Sequence, residues 1–460
     1  MSSLSEIPLD ERAATLRDAL GSRVVFAGDP EYDVVRMPWN VAVDQRPFAV
    51  ATPESAEEVI DIVRAATAAG LRVAPQSTGH AAAGLAESGL ADVVLVRLST
   101  LRGVTVHPDS RTAIVLGGSH WNDVLAAAAP SYGLTALHGS AGDVSVAGYA
   151  LGGGVSFYAR AYGLAVNTVR AVQIVTADGS LVRASAHENT DLFWAVRGGA
   201  GSFGIVVSLE IDLLPHADVF AGMLLWDASF TPAVSRAWAK WSASLPESVT
   251  STLRVMNFPP LPELPPFLSG RSVVVIDGAI LETNARAAEL LAPLRELAPE
   301  IDSFGRIPAS ALVQVHMDPP QPTPAVTRHR MLSSLPEEAV AAFVAASEDP
   351  GLFVAELRHL GGAAARPAAD AGAVSAVAGD YLVHGIAVPP VPEAVPAAAA
   401  AATALVDALA PWAGDGLALT FIDGGADRAL GFGASIDRLR ALKADGDPRN
   451  VFAAANPVGD

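Results

Sequence analysis

The sequence predicts an α+β chain in two parts. Residues 47–213 read as a dense α/β unit, and beyond about residue 215 an α+β or α/β unit is built on an antiparallel sheet. Three observations predict this. Short apolar runs alternate with amphipathic helical patterns between Phe48 and Leu214. After residue 215 proline-rich loops ("FPPLPELPPF", "MDPPQPTP", "VPPVPEAVP") separate strand patterns from Ala-rich helices. The 460 residues are 51% hydrophobic and 17% charged, enough for large cores in two or three domains rather than disorder.

The elements follow in order. "FAVAT" is a short strand, and Ser55 with Glu58 forms a capping box ahead of the apolar stripe Val59, Ile60, Val63 and Ala66, stopped at Gly70. "LRVAP" and "DVVLVRLS" are strands flanking the loop "QSTGHAAAG". "GVTVH" and "RTAIVLGG" pair across a Pro-Asp-Ser turn. "HWNDVLAAAAPSYG" is a helix closed by Gly133. "AVQIVTADGSLVRAS" is a second hairpin turning at Asp178-Gly179. "NTDLFWAVRG" is a helix capped by Asn189 or Thr190, and "GIVVSLEIDLL" is a buried strand. In the second part "RSVVVIDGAIL", "LFVAELRHL" and "DYLVHGIAV" are strands, and "SIDRLRALKADGDPRNVF" is a helix ended by Gly446 and Pro448.

Composition excludes several functions. A net charge of -19 repels phosphate backbones, so no nucleic-acid partner is expected. No cysteine occurs, which removes disulfides, thiolate nucleophiles and Cys-based metal sites. No His-x-His or His-x-x-x-His pair occurs, so no metal is expected, and no Gly-x-Ser-x-Gly elbow marks a hydrolase. The stretch "MSSLSEIPLDERAATLRDAL" lacks an apolar leader core and no 18-residue apolar run exists, so the expectation is a cytoplasmic protein without a membrane partner.

Two glycine clusters stand out, residues 141–169 and 197–204. Gly199-x-Gly201-x-x-Gly204 formally matches the dinucleotide fingerprint, but here a helix precedes the glycines and a strand follows, the reverse of what pyrophosphate binding at a helix N-terminus requires. Tight turns explain one or two glycines; the run Gly152-Gly153-Gly154 equally fits a backbone cradle for a flat ligand or phosphate. His80 reads either as a polar residue satisfied by a neighbour or as an imidazole aimed at a bulky partner across a small-residue loop.

The order of these motifs resembles the FAD-linked oxidases of the vanillyl-alcohol oxidase / p-cresol methylhydroxylase (PCMH) superfamily, in the berberine-bridge-enzyme-like branch that includes hydroxynicotine and oligosaccharide oxidases. The stretches "WNVAVDQRPFAVATPESAEEV", "QSTGH", "VSVAGYALGGGVSFYARAYGLAVNTV", "NTDLFWAVRGGAGSFGIVVSLEI" and "RLRALKADGDPRNVF" carry the resemblance, over most of residues 35–215 and the last 25 or so. "AELRHLGGAAAR" adds a looser match. The resemblance implies a two-domain PCMH-type fold: an FAD-binding domain over 1–215, a substrate domain over 216–415 with helices covering an antiparallel sheet, and a segment 416–460 completing the first domain. It implies covalent FAD linked through His80, with Gln76, Ser77, Thr78, Gly79, Ala81, Gly84, Gly142, Val144, Gly148, Gly152, Gly153, Gly154, Gly204, Ile205 and Val206 around the cofactor.

The departures from the family pattern are specific. Ala141 stands about where relatives carry a second, cysteinyl link, so only a single tether is implied. Gln76 replaces a common arginine, Ala147 a glycine near the oxygen-admitting flavin face, and Asn167 an aspartate. The usual base near the C-terminal strand is not recognisable in "GLALTFIDGGAD", and Ser435-Ile436 replaces an Asn-Tyr pair. The implied reaction is hydride transfer from an alcohol or amine C–H of a small molecule, for instance a secondary metabolite, with O₂ reduced to hydrogen peroxide. Its rivals are a monooxygenase, a dehydrogenase using another acceptor, or a flavin- or ligand-binding protein without turnover. Tyr149, His316, His359, Tyr381 and His384 are the candidate catalytic groups, with none preferred. Neither substrate identity nor oligomeric state is legible.

Overall fold

The computed structural model describes residues 8–262 and 264–459, so the first seven residues of the stretch searched for a leader lie outside the described residues. Mixed helix and strand form three sheets. The first sheet orders Val24–Phe26, Ala49–Ala51, Val93–Arg97 and Arg72–Gln76 side by side, the last three parallel. Helix Ala56–Ala68 covers it, burying Val59, Ile62, Val63 and Ala66 completely. Ser55 caps this helix through the Glu58 N–H at 3.3 Å. The Glu58 carboxylate reaches back to the Glu54 N–H at 2.7 Å, one residue earlier than a standard capping box.

The second sheet is antiparallel, in the order Val104–His107, Thr112–Leu116, Ile205–Asp212, Val169–Val175, Leu181–Ser185. Its outer pairs are the two hairpins read from the sequence. Ile205–Asp212 lies between them, and its first residues are buried throughout while Glu210 and Asp212 alternate with the buried Leu209 and Ile211. Helix Trp121–Tyr132 ends at Gly133 in the left-handed conformation, as expected. At helix Thr190–Gly199, Asn189 occupies the cap position but turns its amide to the Arg183 carbonyl and makes no side-chain cap.

The third sheet has eight antiparallel strands. Its main path runs Ile301–Asp302, Asp218–Asp227, Ser272–Ile280, Val249–Asn257, Val354–His359, Tyr381–Ala387, Val326–Leu332, with Gly305–Pro308 also paired to Asp218–Asp227. Helices Thr231–Ser242, Asn284–Arg295, Glu337–Ala346 and Val395–Ala408 contribute side chains to the core on one face, with Trp226, Trp238, Leu253, Leu291, Phe343 and Leu405 in it. The other face carries Arg254, Glu356, Arg358 and His384 beside an apolar patch of Met256, Val275, Val354 and Ile386, and its polar part looks across at the first two sheets. Strands Val249–Asn257 and Val326–Leu332 had no clean sequence signature, because polar and apolar residues mix on them, while Asp218–Asp227 is an apolar run between two aspartates. Among the described residues no helix is long and apolar enough to cross a membrane.

The tail is stitched to the first sheet. After helix Ile436–Gly446 the Asp447 carboxylate accepts the Val451 and Phe452 N–H groups at 2.8 and 3.0 Å and pairs with Lys443 Nζ at 2.5 Å. Phe452 then bridges in parallel to Val73, on the strand that leads into the His80 loop. Asp447→Ala would leave Lys443 buried without its partner, at a cost on the order of 3–5 kcal/mol. A lower melting temperature and easier proteolysis of the final residues are expected; an unchanged melting curve refutes this.

Candidate active site

A cavity of about 500 Å³ lies between the polar face of the eight-stranded sheet and the first two sheets. Strand register determines what faces it. Arg254, Glu356, His384 and His329 are direct neighbours across four strands, and Thr252 opposes Arg358 one step along. Side chains alternate along a strand, so Val354, Glu356 and Arg358 share the cavity face while Ala355, Leu357 and His359 point to the helices.

The charged side chains on this face form a closed buried network. Arg254 Nη2 contacts Asp277 Oδ2 at 2.5 Å and its Nη1 donates to the His316 carbonyl at 2.7 Å. His316 bridges two carboxylates, Nδ1 to Asp277 at 2.9 Å and Nε2 to Glu356 at 3.2 Å. Glu356 also accepts from Arg358 Nε at 2.8 Å. Burial and Arg254 disfavour charge on His316, but Asp277, Asp318 and the hydrogen bonds prevail, and its pKa is raised to about 9. Burial works against the Glu356 carboxylate too, yet Arg358 and His316 hold it well below the ordinary value.

The opposite wall is the loop from Gln76 to Ala81. His80 packs against Trp39 with ring centres 4.3 Å apart, and Trp39 is fixed by its indole N–H on Asp143 at 2.8 Å. Burial lowers the His80 pKa to about 4, with Asp143 and Asp318 only partly opposing, so the ring is neutral. Its Nε2 is buried with no partner among the described residues. Gly79 has φ +88°, and a side chain there would meet Pro38 at 2.7 Å, so the loop closes only with glycine.

Five cavity-lining residues carry buried polar atoms without partners: His80 Nε2, the Tyr149 hydroxyl, Arg254 Nε, His384 Nε2 and Asp423 Oδ1. Each such atom costs roughly 1–3 kcal/mol unless a ligand satisfies it. Eleven other described residues carry such atoms away from this cavity, so the five count toward a binding site together with the cavity they line. Tyr149, on the short helix Val146–Leu151, is packed edge-on to Trp121 at 5.8 Å, and burial raises its pKa so that the phenol stays protonated. Burial lowers the His384 pKa to about 4 despite Glu356, leaving a neutral imidazole.

Gln76, Ser77, Thr78, Gly79, His80 and Ala81 line the cavity as one continuous loop, and Val144, Gly148, Gly152, Gly204 and Val206 line it as well. Gln76 is engaged with Arg97 through its side-chain oxygen. Gly84, Gly142, Gly153, Gly154 and Ile205 are not among the lining residues. Gly84 abuts the Ala455 carbonyl, Gly142 abuts the Asn122 side chain, and Ile205 is buried in the core of the first sheet. Gly153 and Gly154 have positive φ, and a side chain at Gly154 would meet the Tyr149 ring at 2.6 Å, so Gly154 makes room for Tyr149. Among the catalytic candidates, Tyr149, His316 and His384 line the cavity. His359 and Tyr381 lie on the far face, stacked at 5.2 Å and packed edge-on to Trp238, because they fall on the other parity of their strands.

Arg254, Asp277, Glu356, Arg358, Asp318 and Asp423 were not singled out by sequence reasoning. The usable signal was charge inside a mostly apolar strand, one aspartate in "VVVIDGAIL" and the i,i+2 pair Glu356 and Arg358 in "FVAELRHL".

The network makes stability depend on pH in a definite direction. His316 has a folded pKa near 9 against 6.5 for the free side chain, so its contribution is complete below about pH 6.5 and is lost as pH rises through 9. Chemical denaturation at pH 6 and pH 10 is expected to show that loss in the native protein. His316→Gln should be weaker by an amount on the order of 3–5 kcal/mol at pH 6 and nearly flat with pH; parallel pH profiles refute the bridging role.

Comparison with known proteins agrees with this architecture. Residues 47–185 match the family model described as an FAD binding domain. Xylooligosaccharide oxidase of Thermothelomyces thermophilus is 34% identical over 242 residues, 51% of this chain and 48% of that protein. The chain spans less than half the length of such curated relatives. A variant of BBE-like 1 from Physcomitrella patens superposes with a TM-score of 0.85 at 21% identity, covering 97% of this chain and 98% of that one. Glucooligosaccharide oxidase of Acremonium strictum, which carries a 6-S-cysteinyl, 8α-N1-histidyl FAD, superposes at 0.78 and 22% identity, covering 97% and 99%. The chain carries an FAD binding domain over residues 47–185, set in the fold of the PCMH-type FAD-binding oxidases.

Proposed function

We propose that the chain is an FAD-linked oxidoreductase that oxidises an alcohol or amine carbon of a small molecule and passes the electrons to O₂, giving hydrogen peroxide. The observation that carries this reading is the cavity itself: a neutral His80 and the Tyr149 hydroxyl from the FAD-binding half, with Arg254 and His384 from the eight-stranded sheet, line it with buried polar atoms that have no partner among the described residues. When bound, FAD supplies the two-electron acceptor for the substrate C–H.

The loop Gln76–Ala81 with Val144, Gly148, Gly152, Gly204 and Val206 would hold it, and His80 would be its single covalent tether. Two features support the tether: a neutral ring, and the N1-histidyl link of the glucooligosaccharide oxidase, which would use Nδ1 and not the unpartnered Nε2. Ala141 lines the same cavity and the chain has no cysteine, so a second tether of the cysteinyl type is chemically unavailable.

The chain's own chemistry is proton handling and exclusion of water. His384 presents a neutral ring with a free Nε2, the available acceptor for a substrate O–H or N–H proton. The Tyr149 phenol, kept protonated by burial, donates to the substrate oxygen. Phe421 closes over His384, ring centres 5.3 Å apart, and holds the imidazole in place.

Purified protein is expected to be yellow, with an intact mass above the polypeptide by one FAD. His80→Ala should abolish the increment while leaving dissociable flavin; colourless protein that stays so with added FAD refutes the proposal. His384→Ala is expected to lower kcat by about 10²–10⁴-fold with flavin content unchanged. Because His384 must be unprotonated, kcat/KM should fall as pH drops through about 4, and that acid limb should vanish in the variant.

A further inference from the structure

The cavity face of the eight-stranded sheet changes character one step along its strands. Arg254, Glu356 and His384 are direct neighbours across three strands. Two residues along each strand, Met256, Val354 and Ile386 stand side by side in the same register, and all three line the cavity. Residues at i and i+2 share a face, so this apolar row runs beside the polar one, roughly 7 Å away. It ends at Thr327, opposite Ile386.

The apolar surface continues outward from the row. Phe353, Met317 and Val388 line the same cavity, and Met317 and Val388 are 36% and 37% exposed. Behind the row, Met256 and Val354 join a small core with Val273 and with Leu268 of the proline-rich loop 258–271, which braces the row and leaves its cavity side uncovered. Large apolar residues exposed singly need no explanation; a contiguous set lining a cavity marks a binding surface.

Polar residues of the neighbouring segments are engaged elsewhere. The Asn40 amide donates to the Ala325 carbonyl at 2.9 Å and its oxygen accepts the Ala325 N–H at 3.0 Å. Asp318 accepts the Ser140 hydroxyl at 2.7 Å, and the Thr323 hydroxyl donates to the Gln321 carbonyl at 2.8 Å. The unpartnered polar atoms of the cavity belong to Arg254 and His384 in the polar row, to His80 and Tyr149 in the other half, and to Asp423, which is held by the Thr327 N–H at the row's end. None belongs to the apolar row. A saccharide carries a hydroxyl on nearly every carbon. Laid over Met256, Val354 and Ile386, those hydroxyls lose water and gain no partner there, an unfavourable exchange. An alkyl or aryl body loses no hydrogen bond, and its own surface and that of the row leave water together.

We infer that the substrate is an alcohol or amine with an alkyl or aryl body that lies on Met256, Val354 and Ile386, with its reacting carbon toward His384, two residues before Ile386. This deepens the oxidase reading and rests on it for the reacting carbon, while the apolar seat itself does not.

The test titrates the flavin-loaded protein with butan-1-ol, hexan-1-ol, octan-1-ol and xylobiose, followed by calorimetry and by the shift of the visible flavin band. Each pair of added methylenes is expected to tighten saturable one-to-one binding by about tenfold, and octan-1-ol to bind more tightly than xylobiose. Met256→Gln and Ile386→Thr should each cut that step to about threefold or less. Steps below about threefold in the native protein, or xylobiose binding more tightly than octan-1-ol, overturn the seat without recourse to any variant. Full steps in both variants overturn its placement on this row. Colourless protein that keeps the steps by calorimetry leaves the seat standing and removes the flavin reading. Yellow protein without the steps does the opposite.

Discussion

The site depends on one constraint: a protonated imidazole locked between two buried carboxylates. His316 touches Asp277 on one strand and Glu356 on another, and through them positions Arg254 and Arg358. Five ionisable side chains are almost wholly removed from water, and each is tolerable only because the others are there. Replacing such a network with apolar residues of similar volume is often neutral or stabilising in proteins, so stability alone gives weak reason to keep it. What the network achieves is rigidity: two guanidinium groups held at fixed positions on a sheet, where a loop would let them wander.

The eight-stranded sheet can do this because its two faces do different jobs. Period-two alternation sends Leu357, Val383 and Leu253 into an oily layer with Trp238 and Phe343, and sends Glu356, His384 and Arg254 into the cavity. The helix layer stabilises the sheet, which leaves the other face free to carry costly polar groups. Opposite it, Asp143 holds Trp39 and Trp39 holds His80, so the second wall is fixed by the same logic of a polar anchor behind a ring.

Local chemistry was legible in the sequence and long-range pairing was not. The Ser55 cap, the two hairpins, the Gly133 stop and the small-residue loop around His80 are each specified by adjacent residues, and each has the form those residues require. The charged network draws on residues 254, 277, 316, 356 and 358, on separate strands and a connecting loop, and nothing in any one segment announces its partners. Parity made the difference for the histidines: His384 and His359 look alike in sequence, and only strand register puts one in the cavity and the other against Trp238. Within the glycine run the residues divide: Gly152 lines the cavity, while Gly154 makes room for the Tyr149 ring, a division set by the fold and not by the local sequence.

The unpartnered groups around the cavity follow from these constraints together. A sheet face rigid enough to hold Arg358 and Arg254 cannot relax to satisfy the Arg254 Nε or the Tyr149 hydroxyl, and His80 Nε2, beside the Trp39 ring, has no hydrogen-bond partner among the described residues. At roughly 1–3 kcal/mol for each, five such atoms are a substantial standing penalty on the folded protein without ligand. A ligand that reaches these atoms gains part of its binding energy from the relief of that penalty.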